Sequence, residues 1–309
     1  AVHPLTTGAL MDAVVASFDE PHRDSQLRND GDVDATLATG QPLEVEYRVP
    51  YLAHATMEPM NAVAWLREGR LDVWTGTQAP TVARDQAAKL AGLDANQVHV
   101  HTTLMGGGFG RRAESDYVLQ AVRLAIAVRG RPVKLTWRRE EDMTHDLYRP
   151  AAVARFRGLA AKGTVQALDV RVASPSVLES QGGRLGLAPP GPDRLIVDGL
   201  YDQPYAIAHW RATGYRTPAS VPVSSWRSVG HSFNGFFMES FIDELAHQAD
   251  ADPMAFRRAL LQHEPSRQVL AAVAAMSGWE KPLEKGRGRG VAFHLSFGVP
   301  VAEVIEVTA

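Results

Sequence analysis

From Leu43 to Val49 the chain reads L-E-V-E-Y-R-V, apolar and polar side chains in alternation, the two-residue period of a half-buried strand. Residues 62–66 and 71–74 carry short strand patterns on either side of E-G-R, which predicts a hairpin. Residues 98–104, V-H-V-H-T-T-L, alternate again. Between these strands the rhythm becomes helical. Residues 79–91 are stopped by Gly92, and residues 116–128 place Val118, Leu119, Val122, Ala125 and Ile126 on one stripe before Gly130 and Pro132 end it. P-V-K-L-T-W then returns to strand, and residues 153–172 predict a hairpin turned at A-K-G-T. A long helix starts at Phe233 with Phe237, Phe241 and Leu245 on one face, and Asp252-Pro253 supplies the cap and first-turn proline of the next. Residues 268–276 predict a further helix, and G-R-G-R-G precedes a final strand pair. Residues 1–43 read as a helix followed by a loop, a connecting segment; residues 174–192, rich in Gly, Pro and Ser, read as loop. Together the pattern predicts an α+β fold of mixed sheets with flanking helices.

Composition removes several chemistries. None of the 309 residues is cysteine, which excludes disulfides, thiolate metal sites and cysteine nucleophiles in this chain; a redox centre has to arrive with a cofactor. The formal charge of -3 gives no global attraction to nucleic acid, so an anion site must be a local arrangement. No apolar run reaches the roughly 18 residues that span a bilayer. The start A-V-H-P-L-T-T lacks a basic or apolar leader pattern, and the end V-I-E-V-T-A has no turn signal after it, so both ends read as cut from a longer chain.

The densest candidate chemistry is L-M-G-G-G-F-G-R-R at 104–112. Gly106, Gly107, Gly108 and Gly110 permit consecutive amides to point one way, a nest for anionic oxygens, and Arg111-Arg112 add positive charge before a predicted helix. A glycine-rich hairpin without ligand is the bland alternative. The loop is neither a Walker A sequence, for no lysine is followed by Ser or Thr, nor a dinucleotide fingerprint, because Arg111 stands where the third glycine belongs. Arg227, in S-S-W-R-S-V-G-H, offers a planar fork for an oxo group or pyrophosphate, against a plain surface salt bridge. His54 and Glu58, in H-A-T-M-E-P-M, fit a buried hydrogen-bond network better than a metal, since no third ligand follows at suitable spacing.

Five stretches taken together resemble the molybdopterin-binding region of the xanthine oxidase/aldehyde oxidase family: Y-L-A-H-A-T-M-E-P-M-N, V-W-T-G-T-Q-A-P, M-G-G-G-F-G-R-R, P-V-K-L-T-W-R-R-E-E-D-M and W-R-S-V-G-H-S-F-N-G-F-F-M-E-S-F-I-D-E-L-A. F-G-R-R and W-R-S-V-G most resemble the large beta subunit of isoquinoline 1-oxidoreductase-type bacterial enzymes. The resemblance implies a connecting segment over 1–43, a first molybdopterin-binding domain over 44–285 and the truncated start of a second over 286–309. It implies molybdopterin, in the cytosine dinucleotide form, carrying molybdenum. Gly76, Thr77 and Gln78 then approach the metal's oxo ligand, and Gly107, Gly108, Phe109, Gly110 and Arg111 lie along the cofactor with Arg227 and Ser228; Gln78 and Arg227 are the catalytic candidates, and the chain supplies no metal ligand.

The same resemblance implies hydroxylation of an N-heteroaromatic compound or aldehyde with water-derived oxygen. Electrons would pass to a small iron–sulfur subunit or a cytochrome, in the periplasm or cell envelope. Ala113 stands where purine-oxidising relatives have a glutamate, so purine is not the implied substrate. The family's G-x-G-E base motif is absent, and Glu303 and Glu306 read as strand residues; the chain alone is therefore expected to be an inactive part of a catalytic subunit. The alternative is a cofactor-free binding or scaffold domain of the same fold.

Overall fold

The structure is a computed structural model and describes residues 5–161, 163–186 and 191–309. The chain folds as two compact units. The first comprises Ala1–Tyr51, Pro150–Ser220 and Ser228–Ala309, the second Leu52–Arg149 and Val221–Arg227. In chain order the first unit opens with α1 (Thr7–Ala16), β1 (Arg23–Asp30), α2 (Val33–Leu37) and β2 (Leu43–Val49). The second holds β3 (Asn61–Arg67), β4 (Arg70–Thr75), α3 (Pro80–Ala91), β5 (Val98–Thr102), α4 (Asp116–Ala127), β6 (Val133–Thr136) and α5 (Arg139–Thr144). The first resumes with β7 (Ala152–Ala161), β8 (Thr164–Pro175), α6 (Val177–Leu185), β9 (His209–Thr217), α7 (His231–Gln248), α8 (Pro253–Leu260), α9 (Glu264–Ser277), β10 (Arg287–Ser296) and β11 (Val299–Thr308).

In the first unit the sheet order is β1-β9-β8-β7-β2, with β8 and β9 parallel and the other neighbours antiparallel. The predicted stripe of α7 is buried as expected: Phe237, Phe241 and Leu245 are fully covered in a core with Phe156, Val170 and Trp210. Two expectations fail here. Residues 23–30, read as loop, form β1, a polar edge strand whose R-D-S-Q-L-R-N-D shows no alternation because its pairing is supplied by β9 from one side. Residues 177–185, also read as loop, form α6. Ser176 caps its first turn through Glu179 N (3.0 Å), and Gly186 ends it in the left-handed region (φ 72°), so both punctuation residues mark helix ends. Residues 187–190 of that predicted loop, and Lys162 in the predicted A-K-G-T turn, lie outside the described residues.

In the second unit the order is β5-β4-β3-β6, with β4 and β5 parallel. Ala62, Ala64, Leu66, Leu71 and Val73 face a core shared with Ala87 of α3 and Val118, Ala121 and Val122 of α4. The other face of this sheet carries polar and aromatic side chains. This α/β layer carries the glycine loop between β5 and α4.

Two buried polar arrangements in the first unit set measurable stabilities. Arg257 of α8 is fully buried; its Nε donates to Glu239 Oε2 (2.8 Å), Nη2 to Glu239 O (3.0 Å) and Nη1 to Asp243 Oδ1 (2.5 Å). Glu239 also accepts from Tyr205 Oη and Phe293 N, both at 2.7 Å. Removing one member of such a pair strands a buried charge, so Arg257→Ala should cost about 3–5 kcal/mol in a urea unfolding titration. The second is the pair His231 Nδ1···His294 Nε2 at 2.9 Å, which needs one donor and one acceptor, while His294 Nδ1 is buried without a partner among the described residues. Burial, with His231 adding to it against Asp202, lowers His294 to about 4. A base held below its unfolded value of 6.5 stabilises the fold fully above that value. Stability should therefore fall by roughly 3 kcal/mol as pH drops from 6.5 to 4, and His294→Gln should flatten that segment of the stability–pH curve.

Candidate functional site

Arg112 follows the glycine loop and is completely buried, a state a guanidinium tolerates only when its donors are satisfied. Its Nε donates to Gly107 O (2.9 Å), Nη1 to Gly76 O (3.1 Å) and Nη2 to Glu58 O (2.9 Å) and Glu58 Oε2 (3.0 Å). Its own carbonyl accepts from Gln78 N (2.8 Å) and Thr77 Oγ1 (3.1 Å). One side chain thus joins three segments, 58–59, 76–78 and 106–108. Tyr117 Oη donates to the same Gly76 carbonyl (2.8 Å). Burial works against the Glu58 carboxylate, but donation from Gly106 N (2.8 Å), from Asn61 and the charge of Arg112 outweigh it and hold its pKa below the ordinary value.

These bonds orient the loop. A trans peptide points its C=O and N–H in opposite directions, and no peptide here is cis. The carbonyl of Gly106 accepts from Glu58 N (3.2 Å), that of Gly107 from Arg112 Nε, and that of Gly108 from Arg111 N (2.9 Å). The amides sharing those peptide planes, on Gly107, Gly108 and Phe109, therefore face away from these donors. None of the three donates to a protein acceptor among the described residues. Gln78 is exposed and its Oε1 accepts from Gly110 N (3.0 Å), which turns its carboxamide NH2 outward without a protein partner among the described residues. The result is a set of fixed N–H donors that suits acceptor oxygens.

The structure corrects the sequence reading at two points. Arg111 offers no exposed charge to an anion. It is buried, bidentate to Asp116 (2.8 and 2.7 Å), and its Nε lies 3.0 Å from Asp146 Oδ1 outside hydrogen-bonding geometry, a Coulombic contact. The bare backbone is also demanded from the protein side. A Cβ on Gly110 (φ 105°) would stand 1.7 Å from Ser225 O, and one on Gly108 2.5 Å from Gln78 Oε1. Glycine is needed first so that chain can pass chain; the unpartnered amides among the described residues follow from it.

The segment bearing Arg227 crosses the loop at Gly110. His54 Nε2 lies 3.1 Å from Ser225 O and its Nδ1 3.1 Å from Asp146 Oδ1, while Asp146 Oδ2 accepts from His54 N. Burial acts to raise the Asp146 carboxyl, but the His54 hydrogen bonds and Arg111 prevail and lower it. Ser224 Oγ donates to Glu114 Oε1 (2.9 Å). Arg227 itself is exposed and makes no ion pair among the described residues, so the salt-bridge reading gains no support. Ser228 and Val229 next to it have φ of 71° and 50°, and Phe109 in the loop 54°; a β-branched residue in that region is a strained one. His54 joins a buried hydrogen-bond network, as the sequence suggested, while Glu58, its side chain 38% exposed, sits at the rim of a second one around Arg112. Asp116, Tyr117 and Asp146 were not foreseen, although two adjacent arginines in an apolar setting already required carboxylates. Glu306 is bound to Arg289 (2.8 Å) on the β10–β11 pair, in keeping with a strand residue.

Residues 18–261 match the family Molybdopterin cofactor-binding domain. The B component of nicotinate dehydrogenase from Pseudomonas putida is 31% identical over 301 residues, covering 92% of this chain and 25% of the relative. The beta chain of isoquinoline 1-oxidoreductase from Brevundimonas diminuta is 32% identical over 250 residues, covering 79% of this chain and 31% of the relative. The chain thus spans a quarter to a third of these relatives. Among solved structures, quinoline 2-oxidoreductase of Pseudomonas putida superposes with TM-score 0.72 at 19% identity, over 87% of this chain and 38% of that one, a likeness of fold. The fold, the amides around Gly107–Phe109 that find no protein acceptor among the described residues, and the family match agree: this chain belongs to the molybdopterin cofactor-binding domain family.

Proposed function

We propose that this chain forms part of the cofactor site of a molybdenum hydroxylase that oxidises an N-heteroaromatic compound or an aldehyde. The observation that carries the reading is the three amides, at Gly107, Gly108 and Phe109, that donate to no protein acceptor among the described residues, beside the pinned Gln78 carboxamide. A molybdenum pterin presents acceptor oxygens and sulfur, and these donors fit it. When bound, the cofactor supplies the two-electron redox chemistry and the water-derived oxygen.

The chain's own contribution is positioning. The three amides bind acceptor atoms of the guest without any side chain having to order itself. Gln78 donates one N–H from a carboxamide that cannot flip without losing its bond from Gly110. Arg227 offers an exposed planar fork to an anionic part of the guest or substrate. Ala113, in place of a carboxylate, leaves this position without a charged acceptor and suits a substrate less polar than a purine. The resemblance supports the cytosine dinucleotide form and an iron–sulfur or cytochrome electron acceptor. No helix among the described residues is long and apolar enough to cross a membrane.

Metal analysis and pterin fluorescence of the intact protein should give molybdenum and pterin near one per chain; finding neither would leave the scaffold reading. Gln78→Ala should lower kcat on a heteroaromatic substrate roughly 100-fold, the effect of removing one preorganised donor, with molybdenum content retained. Arg112→Met should release the loop, with loss of bound molybdenum and about 3–5 kcal/mol of stability. Arg112→Lys should recover little, since an ammonium cannot reach Gly107, Gly76 and Glu58 together. Full metal content in Arg112→Met would remove the assigned role.

A further inference from the structure

Across the sheet of the second unit from α3 and α4, the strands present a layer of aromatic and basic side chains around one buried acid. Register places Trp65 of β3 opposite Asp72 of β4, Trp74 of β4 opposite His101 of β5, and Val63 of β3 between Trp74 and Lys134 of β6. Asp72 is buried and its carboxylate collects Arg67 by ion pair, Arg70 through Nε and Nη2 (2.8 Å each) and His101 Nε2 (2.9 Å). The Asp72 side chain is 2% exposed, whereas Arg67, Arg70 and His101 are 40%, 47% and 43% exposed. The acid is sealed beneath, and the two guanidiniums and the imidazole face solvent. Lys134 is exposed on the neighbouring strand. At the same edge Trp65 Nε1 donates to Gly130 O (3.2 Å), fixing a turn that carries Arg129 and Arg131; Glu68 is the acid in the adjoining β3–β4 turn.

This arrangement differs from a scatter of solvated surface charges because it is held before any partner arrives. Arg67 lies 4.0 Å over the Trp65 ring, and His101 stacks on Trp74 at 4.8 Å and 13°. Arg67 is held between Asp72 and the Trp65 ring and His101 between Asp72 and the Trp74 ring, while Arg70 is held by Asp72, so little side-chain freedom is left to lose on binding. Trp and Arg together are the side chains that dominate protein interfaces. The chemistry selects among partners. Base stacking needs open ring faces, and Arg67 already covers one face of Trp65 and His101 one face of Trp74. Membrane insertion needs exposed apolar side chains, and Val63 is only half-buried between polar neighbours. What faces outward is guanidinium and ammonium, which suit carboxylates.

We propose that the outer face of β5-β4-β3-β6 is a docking surface for a protein partner with an acidic surface, whose carboxylates meet Arg67, Arg70 and Lys134 around the Trp65–Trp74 ridge. The inference stands apart from the cofactor reading. The test uses the intact protein and fluorescein-labelled random poly(Glu,Tyr) in anisotropy titrations. Binding should be seen in 50 mM NaCl, weaken at least tenfold in 300 mM NaCl, and weaken at least tenfold in Arg67→Gln/Lys134→Glu. That variant leaves Arg70 and His101 on Asp72, and an unchanged Tm would show the fold intact. Poly(Glu,Tyr) should also protect tryptophan fluorescence of the wild-type protein from acrylamide, and Trp65→Phe/Trp74→Phe should abolish the protected fraction. Equal binding by wild type and charge variant, tighter binding of a single-stranded dT20 or of phosphatidylglycerol vesicles, or tryptophans already inaccessible to acrylamide in the free protein, with the protein's own chain on that face, would each overturn it.

Discussion

The guanidinium of Arg112, buried like that of Arg111 in the interior of the second unit, has to find acceptors for its donors there. It finds them on main-chain carbonyls of Glu58, Gly76 and Gly107 and on the Glu58 carboxylate. Because those acceptors belong to three separate segments, satisfying one buried charge fixes the mutual geometry of all three. A lysine in its place would leave acceptors unmet, and an apolar residue would leave the Gly107 carbonyl without its partner and those of Gly76 and Glu58 with only Tyr117 Oη and Thr56 Oγ1. The loop, the Thr77-Gln78 turn and the 54–60 segment are therefore parts of one hydrogen-bonded object.

The donor surface is the reverse side of that constraint. Peptide planarity turns the amides of Gly107, Gly108 and Phe109 away from the donors that tie the preceding carbonyls, and the turns call for glycine because Ser225 and Gln78 come too near for a side chain. Positive charge near the loop is compensated internally, Arg111 by Asp116 and Asp146, Arg112 by Glu58. Binding of an anionic or oxo-bearing guest would therefore draw on oriented neutral dipoles, with Arg227 as the exposed cation. Strained φ values at Phe109, Ser228 and Val229 fall in the same two motifs, which is where a fold keeps conformations that its local sequence does not favour.

Different kinds of information decided different parts of the architecture. Periodicity located β2 to β6, the hairpin of β7 and β8, and the helices α3, α4 and α7, because each buries one face and the burial repeats at a fixed spacing. It missed β1, a polar edge strand whose only requirement is a partner, and α6, whose serine and glycine ends read as loop composition. At the site, the glycine run and T-Q were legible as motifs, and resemblance gave them roles to be tested.

By itself, the sequence determined which segments could be helix or strand, that any redox centre must be brought in, and that the bare loop and its arginines belong to the chain's chemistry. It did so because backbone freedom, amphipathic period and the absence of cysteine are local properties, written within a few residues of where they act. Only the tertiary structure decided where the arginines point and whom they satisfy. Glu58 and Gly76 lie far from Arg112 along the chain, as Asp146 does from Arg111, and a buried charge is settled by whatever carbonyls and carboxylates the fold brings within about 3 Å. That long-range closure made them supports of the loop, with three of its amides left without a protein acceptor among the described residues.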